Sequence, residues 1–106
     1  MQTARIRLHP TNKRMQVRVD GILQADSTNS LELREHGYSP RHYFLREDVR
    51  MDLFTVSETT TYCPFKGHAM YFSLGEQRDI ARSYQEPVEG MEAITGRVAF
   101  YEEMNE

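Results

Sequence analysis

Reactive side chains concentrate in one stretch of this sequence, from Thr59 to Phe72. It reads as a β-rich strand, a tight turn at Cys63-Pro64-Phe65-Lys66-Gly67, and a second β-rich strand. The turn holds the only cysteine, a proline with fixed φ, a lysine, and a glycine free to take φ > 0. Lys66 stands three residues from Cys63, and a cation at that spacing favours the thiolate, as a nucleophile or redox thiol requires. A base is also needed, and His68 on the following strand is the nearest histidine. The competing reading, which we favour, makes Cys63 a small buried hydrophobe covered by Tyr62, Pro64 and Phe65.

Further candidates surround this turn. Lys66-Gly67 can cradle an anion through backbone N–H groups and the ammonium, or be a solvated turn. Arg46 is expected to face the same pocket, with Asp48 fixing the chain beside it. Glu35 ends an alternating strand; if buried it must be paired, and a paired pocket carboxylate is the best acid/base candidate. Tyr84 offers an apolar ring and a hydroxyl to a pocket wall. Together Glu35, Arg46, Thr61, Cys63, Lys66 and Tyr84 describe a polar pocket for a small anionic ligand, matched to Arg46 and Lys66. Asp26-Ser27 reads as a turn or cap element. The four histidines, His9, His36, His42 and His68, have no metal-site spacing, one cysteine excludes a Cys-rich zinc cluster, and no cofactor is implied.

The elements that position these residues must come from 106 residues, enough for one domain over 1–106 with an adequate core. The net charge of −3 argues against general nucleic-acid binding. No apolar run approaches a membrane span, Met1 to Arg5 lacks a signal-peptide hydrophobic region, and the lone cysteine suits a reducing cytoplasm.

Arg5 to Leu8 alternates and stops at His9-Pro10, as an edge strand does. Gln16 to Val19 and Ile22 to Ala25 flank Asp20-Gly21, which predicts a type I′ hairpin. Asp26 to Asn29 breaks the pattern, Leu31 to Glu35 resumes it, and His36 to Pro40 turns. Arg41 to Leu45 is a strand, Arg46 to Val49 a helical turn, and Met51, Leu53, Phe54 and Val56 are core candidates. Ala69 to Leu74 predicts a buried strand, Gly75 to Asp79 a loop, and Ile80 to Tyr84 another strand. Pro87 to Ile94 predicts the one short helix, with Gly90 a weakness in its middle. Arg97 to Tyr101 is a last strand, and the acidic tail Glu102 to Glu106 is expected to fray.

Several of these segments together resemble domain-of-unknown-function family 427, sometimes labelled nucleotidyltransferase-like. They are Ala25-Asp26-Ser27, Glu35 before a Gly-Tyr-x-Pro turn, and Tyr43-Phe44 ahead of Arg46-Glu47-Asp48-Val49. Thr61-x-Cys63-Pro64-x-Lys66-Gly67-x-Ala69-x-Tyr71, Tyr84 with Pro87, and Ile94 to Tyr101 complete the set. The resemblance implies a compact β-rich fold similar to two-sheet β-tents, with no established activity. Leu45 stands where the family usually has proline, and Arg82 where it usually has tryptophan. That second departure either rebuilds a wall of the site or sends Arg82 to solvent. Nucleotidyl transfer normally rests on paired acidic metal ligands beside a Gly-Ser, an arrangement this sequence lacks.

We therefore expect a mainly β domain, two packed antiparallel sheets or a partly open barrel, with one short helix near the C-terminus. Its leading function is a small-ligand-binding or enzyme-like domain. The alternative is a non-catalytic interaction module, self-associating as a homodimer, in which Glu35, Arg46 and Lys66 would be scattered rather than convergent.

Overall fold

Period-two alternation produces ten strands in a computed structural model that describes residues 5–101 and 104–105. In chain order they are β1 (Ile6–Pro10), β2 (Met15–Val19), β3 (Ile22–Ser27), β4 (Leu31–Glu35) and β5 (Arg41–Phe44). Then come β6 (Thr55–Cys63), β7 (Gly67–Leu74), β8 (Gln77–Pro87), β9 (Val98–Phe100) and β10 (Met104–Asn105). Seven of them form one antiparallel sheet in the order β1-β4-β5-β9-β8-β7-β6, and β10-β2-β3 form a second. Neither sheet closes into a barrel.

The alternation in β2 sends Met15, Val17 and Val19 inward and leaves Arg18 outside. Those three residues and Ala25 meet Phe44, Phe72, Ala81, Val98 and Phe100 of the large sheet. Phe44 and Phe100 are fully buried and pack edge to face, with ring centroids 6.0 Å apart. The hairpin between β2 and β3 turns on Asp20 and Gly21, both with positive φ as a type I′ turn requires. The opposite face of the large sheet carries Leu31, Leu33, Tyr43, Ala69, Tyr71, Tyr84 and Ala99. Met91 and Ile94, from the chain between β8 and β9, cover part of that face.

Among the described residues, helical structure is limited to single 3-10 turns at Arg46–Asp48, Met51–Leu53 and Glu92–Ile94. The helix expected over Pro87 to Ile94 is thus reduced to its last turn. The cause is twofold: β8 runs on through Pro87, and Gly90 adopts φ +95°, which a right-handed helix excludes. The loop expected from Gly75 to Asp79 is also shorter, because β8 already begins at Gln77. Asp79 sits there in the left-handed region as part of a bulge. Its N–H donates to Ser73 Oγ, and its carboxylate accepts from Thr59 Oγ1 at 2.7 Å.

Met51 and Phe54 join the core as expected, whereas Leu53 and Val56 are exposed. Asp26 lies inside β3 and receives two hydrogen bonds from Arg14, while Ser27 Oγ accepts from the Asn29 N–H. The tail expected to fray contributes Met104–Asn105 as a strand beside β2. Met1 to Ala4, Glu102, Glu103 and Glu106, on which the leader and tail expectations partly rested, lie outside the described residues.

The β6–β7 turn fits its site only because residue 67 is glycine. Gly67 has φ +119°, and a Cβ there would lie 3.0 Å from both Glu86 O and Pro87 Cα. Strain and overlap with backbone act together, so Gly67→Ala is expected to cost about 1–3 kcal/mol or more. Urea denaturation checks this, with a lowered midpoint and an unchanged slope as the expected outcome.

Candidate functional site

Alternation along the large sheet puts residues i and i+2 on the same face. On the face away from the small sheet it aligns Thr61 with Cys63, Arg82 with Tyr84, and Arg41 with Tyr43. These residues line a cleft of about 630 Å³, together with Leu33 and Glu35 of β4, Tyr101, and the turn residues Pro64, Phe65 and Lys66. Arg5, Tyr38, Ser39 and Tyr62 complete its walls.

One ion pair spans the cleft. Lys66 Nζ donates to Glu35 Oε1 at 2.8 Å, and both side chains are only 8% exposed. Arg5 Nη2 approaches Glu35 Oε2 at 3.5 Å while its guanidinium lies 4.0 Å from the Phe65 ring centroid. The Lys66 backbone is fixed as well: its N–H donates to Cys63 O, and its carbonyl accepts from Val88 N–H. Glu35 is therefore the paired, buried carboxylate that its position at a strand end allowed for. Its partner is a lysine from the opposite margin of the sheet.

Of the six sequence candidates, Glu35, Thr61, Cys63, Lys66 and Tyr84 all line the cleft. Arg46 does not, which corrects the expectation that it shares the pocket. Its Nε donates to Gly96 O at 2.7 Å, its Nη2 reaches Ser83 Oγ at 3.4 Å, and its guanidinium lies over Phe72. Ser83 and Phe72 point to the face packed on the small sheet, one residue out of phase with Arg82 and Tyr71. Cys63 is half-buried rather than covered. Tyr62 and Phe65, expected to shield it, are 60% and 45% exposed. Tyr84 lines the cleft yet is 1% exposed, so its ring is set in the floor beside Tyr43 rather than free to stack broadly on a ligand.

The cleft residue whose placement sequence reasoning left undecided is Arg82. It is half-buried in the cleft wall, with its guanidinium 5.1 Å from the Tyr101 ring centroid and 5.7 Å from that of Tyr84. Arg41 approaches the same Tyr101 ring at 4.8 Å and donates from Nη1 to Phe100 O. Among the described residues, neither arginine has a carboxylate within ion-pair distance. The Tyr43 hydroxyl lies near enough to Arg82 to feel its charge, but neither it nor Arg82 Nε completes a well-formed hydrogen bond. The available sequence signal was the repeated Arg-x-Tyr spacing, Arg41 with Tyr43 and Arg82 with Tyr84.

Among the described residues, four cations, Arg5, Arg41, Lys66 and Arg82, face the cleft against one carboxylate, that of Glu35, a local balance of +3 inside a chain whose overall charge is −3. Burial pushes the phenols of Tyr43 and Tyr84 up. Burial and a hydrogen bond to Tyr71 push Tyr101 up to about 12. Tyr71 moves the other way: burial raises it, but the polar heads of Thr61, Tyr101 and Arg82 outweigh burial and bring it below the ordinary value. Thr61 Oγ1 and Tyr71 Oη are 2.9 Å apart.

A second polar constellation has the composition of a hydrolytic triad but no access. Ser30 Oγ lies 2.9 Å from His42 Nδ1, and His42 Nε2 lies 3.8 Å from Glu32 Oε2. Ser30 is 2% exposed and Glu32 is held by Arg34, so the group ties β4 to β5 rather than meeting a substrate. Among the described residues, no three His, Cys, Asp or Glu side chains group as a metal site requires. No helix among them is long and apolar enough to cross a membrane.

Residues 7–106 match the family model described as a domain of unknown function, DUF427. No curated protein matches the chain.

Two outcomes test this description. Removing Glu35 strands Lys66, whereas removing Lys66 leaves Glu35 with Arg5, so Glu35→Leu should cost more than Lys66→Met, on the order of 3–5 kcal/mol. The double variant should recover most of that loss, as urea denaturation of all four proteins would reveal. The alkaline limb of stability is set by the tyrosines. Tyr43, Tyr84 and Tyr101 have folded-state values above the unfolded one, so their contribution is complete below about pH 10 and lost as pH rises beyond it. Tyr71 opposes this in the same range, but three groups outnumber one. The melting temperature should fall steadily above about pH 10, with phenolate absorbance appearing together with unfolding.

Proposed function

We propose that this chain, which belongs to the DUF427 family of domains of unknown function, binds a small anionic ligand in its cleft. The observation that carries the reading is the convergence of Arg41 and Arg82 on Tyr101 with no carboxylate between them among the described residues. Like charges held together in a half-buried site repel, and an anion seated between them relieves that repulsion. Guanidinium groups also supply fixed pairs of donors that suit oxyanions. Lys66, one of the two cations matched to the ligand from sequence, contributes less, because Glu35 already neutralises it. The volume lies within the roughly 300–1,000 Å³ range of small-molecule sites.

With Glu35 committed to Lys66, the reading is of a binding site rather than a catalytic one. A lone, unpaired cysteine suits a reducing compartment, and the cytoplasm is the setting we propose. The exposed rings of Tyr38, Phe65 and Tyr101 favour a second reading, self-association of two copies through the cleft rim. Sedimentation velocity over a range of concentrations tests it, and a strictly monomeric protein would end it.

The binding reading is tested by native mass spectrometry of the freshly purified protein and by calorimetric titration with inorganic phosphate. Arg41→Gln and Arg82→Gln should each weaken binding about tenfold or more, the loss of one charge-assisted contact. Arg46→Gln should leave it unchanged. Bound phosphate should also slow alkylation of Cys63 by iodoacetamide, because the thiol shares the cleft. Equal binding by all four proteins would sink the proposal.

A further inference from the structure

A second cavity, of about 500 Å³, shares Arg5, Pro64 and Phe65 with the cleft and is otherwise built from different residues. Three stretches distant in sequence enclose it: β1, the turn between β6 and β7, and the chain that follows β8. Ile6 and Leu8, two apart on β1, share a face by strand alternation. With Pro64, Phe65 and Met91 they give the cavity apolar sides. Met91 is 7% exposed and belongs to the core cluster on which Ile6 and Leu8 pack, so these sides are anchored.

Two charged residues line the same cavity. Glu89 makes no hydrogen bond or ion pair among the described residues. The neighbouring carboxylate, Glu92, is turned instead to the Gly90 N–H, which donates to its Oε1 at 3.0 Å. Arg5 carries the opposite charge. Its Nη2 meets Glu35 Oε2 only at 3.5 Å, and its Nε completes no hydrogen bond. Glu35 is itself held more closely by Lys66, at 2.8 Å. A carboxylate and a guanidinium thus line one small cavity without pairing with each other.

We infer that this cavity is a binding site for a free apolar α-amino acid in its zwitterionic form. The α-ammonium answers Glu89, the α-carboxylate answers Arg5, and the side chain lies against Ile6, Leu8 and Met91. A simple anion would satisfy Arg5 and be repelled by Glu89, and a simple amine would meet the reverse. A zwitterion brings both signs one carbon apart, and guanidinium suits a carboxylate in particular. An apolar side chain gains by leaving water for the apolar sides. The volume lies within the roughly 300–1,000 Å³ of small-molecule sites. The inference does not rest on the anion-binding reading, because Ile6, Leu8, Glu89 and Met91 are not cleft residues.

Calorimetric titration of the full chain tests this with L-leucine, isopentylamine, 4-methylpentanoate and glycine. Isopentylamine lacks the carboxylate of leucine, 4-methylpentanoate lacks the ammonium, and glycine lacks the apolar side chain. L-leucine should bind about tenfold more tightly than each of the others, the loss of one charge-assisted contact or of side-chain burial. Glu89→Gln changes an exposed residue, so the variant should fold and should hold L-leucine no better than 4-methylpentanoate. Backbone amide spectra should place the changes at Leu8, Glu89 and Met91. Isopentylamine or glycine binding as tightly as L-leucine overturns the inference. So does 4-methylpentanoate binding as tightly with changes at Arg41 and Arg82, an outcome that leaves the anion reading standing. L-leucine affinity unchanged in Glu89→Gln, or no binding of L-leucine at millimolar concentration, overturns it as well.

Discussion

The cleft is bridged at its buried end by the ion pair between Lys66 and Glu35. The seven-stranded sheet does not close on itself through backbone hydrogen bonds, so its two margins are free to separate. Lys66 stands in the turn at the β6–β7 margin and Glu35 at the end of β4, next to the opposite edge, and their charged groups meet at 2.8 Å. A pair this well shielded from water is costly to form and more costly to break on one side only. Its value here is geometric: it ties the turn between β6 and β7 to the end of β4 across the cleft.

The approach that brings Lys66 to Glu35 is fixed by its neighbours. Gly67 lets the following strand lie against Glu86 and Pro87 at a distance no side chain permits, and the Lys66 carbonyl is held by the Val88 N–H. Cys63-Pro64-Phe65-Lys66-Gly67 is thus one mechanical unit, a turn whose backbone is anchored to β8 and whose lysine crosses the cleft. That accounts for the dense cluster of special residues in this stretch without making the thiol a nucleophile. Arg5 adds a second tie on the same side, stacked on Phe65 and directed at the same carboxylate.

With the margins tied, the two faces of the sheet divide the work. One buries Phe44, Phe72, Val98 and Phe100 against the small sheet. The other carries polar and aromatic side chains into the concavity, where tyrosines surround Arg82. A cation in such a place is partly desolvated with no carboxylate in ion-pair distance among the described residues, and aromatic ring faces offset part of that cost. Arg46 is stabilised in a comparable way on the other face, by Phe72 and the Gly96 carbonyl. Both are arginines near aromatic rings, but only Arg82 faces a space that a ligand can enter.

Much of this organisation was legible from the residues alone. Alternation in Met15–Val19 and the Asp20-Gly21 pair determined the first hairpin, because period two and positive φ are local properties. The Cys63 to Gly67 turn was equally local, and Glu35, Thr61, Cys63, Lys66 and Tyr84 could be nominated as neighbours from residue type and motif. What the residues could not determine was which of two faces each strand would bury. A one-residue change of phase reverses every side chain, and the phase of β8 is set by bulges against β7. That phase directs Arg82 and Tyr84 to the cleft and Ser83 to the core, and it leaves Arg46, which binds Ser83, on the wrong side to share the site. The helix over Pro87 to Ile94 was misjudged for a related reason: pairing with Gly67 extends β8 through Pro87, and a long-range strand contact overrides the local start signal that proline provides. The sequence by itself determined the strands, the turns and the chemistry available; only the tertiary structure decided which charges would be paired across the sheet and which would face the cleft with no carboxylate partner among the described residues.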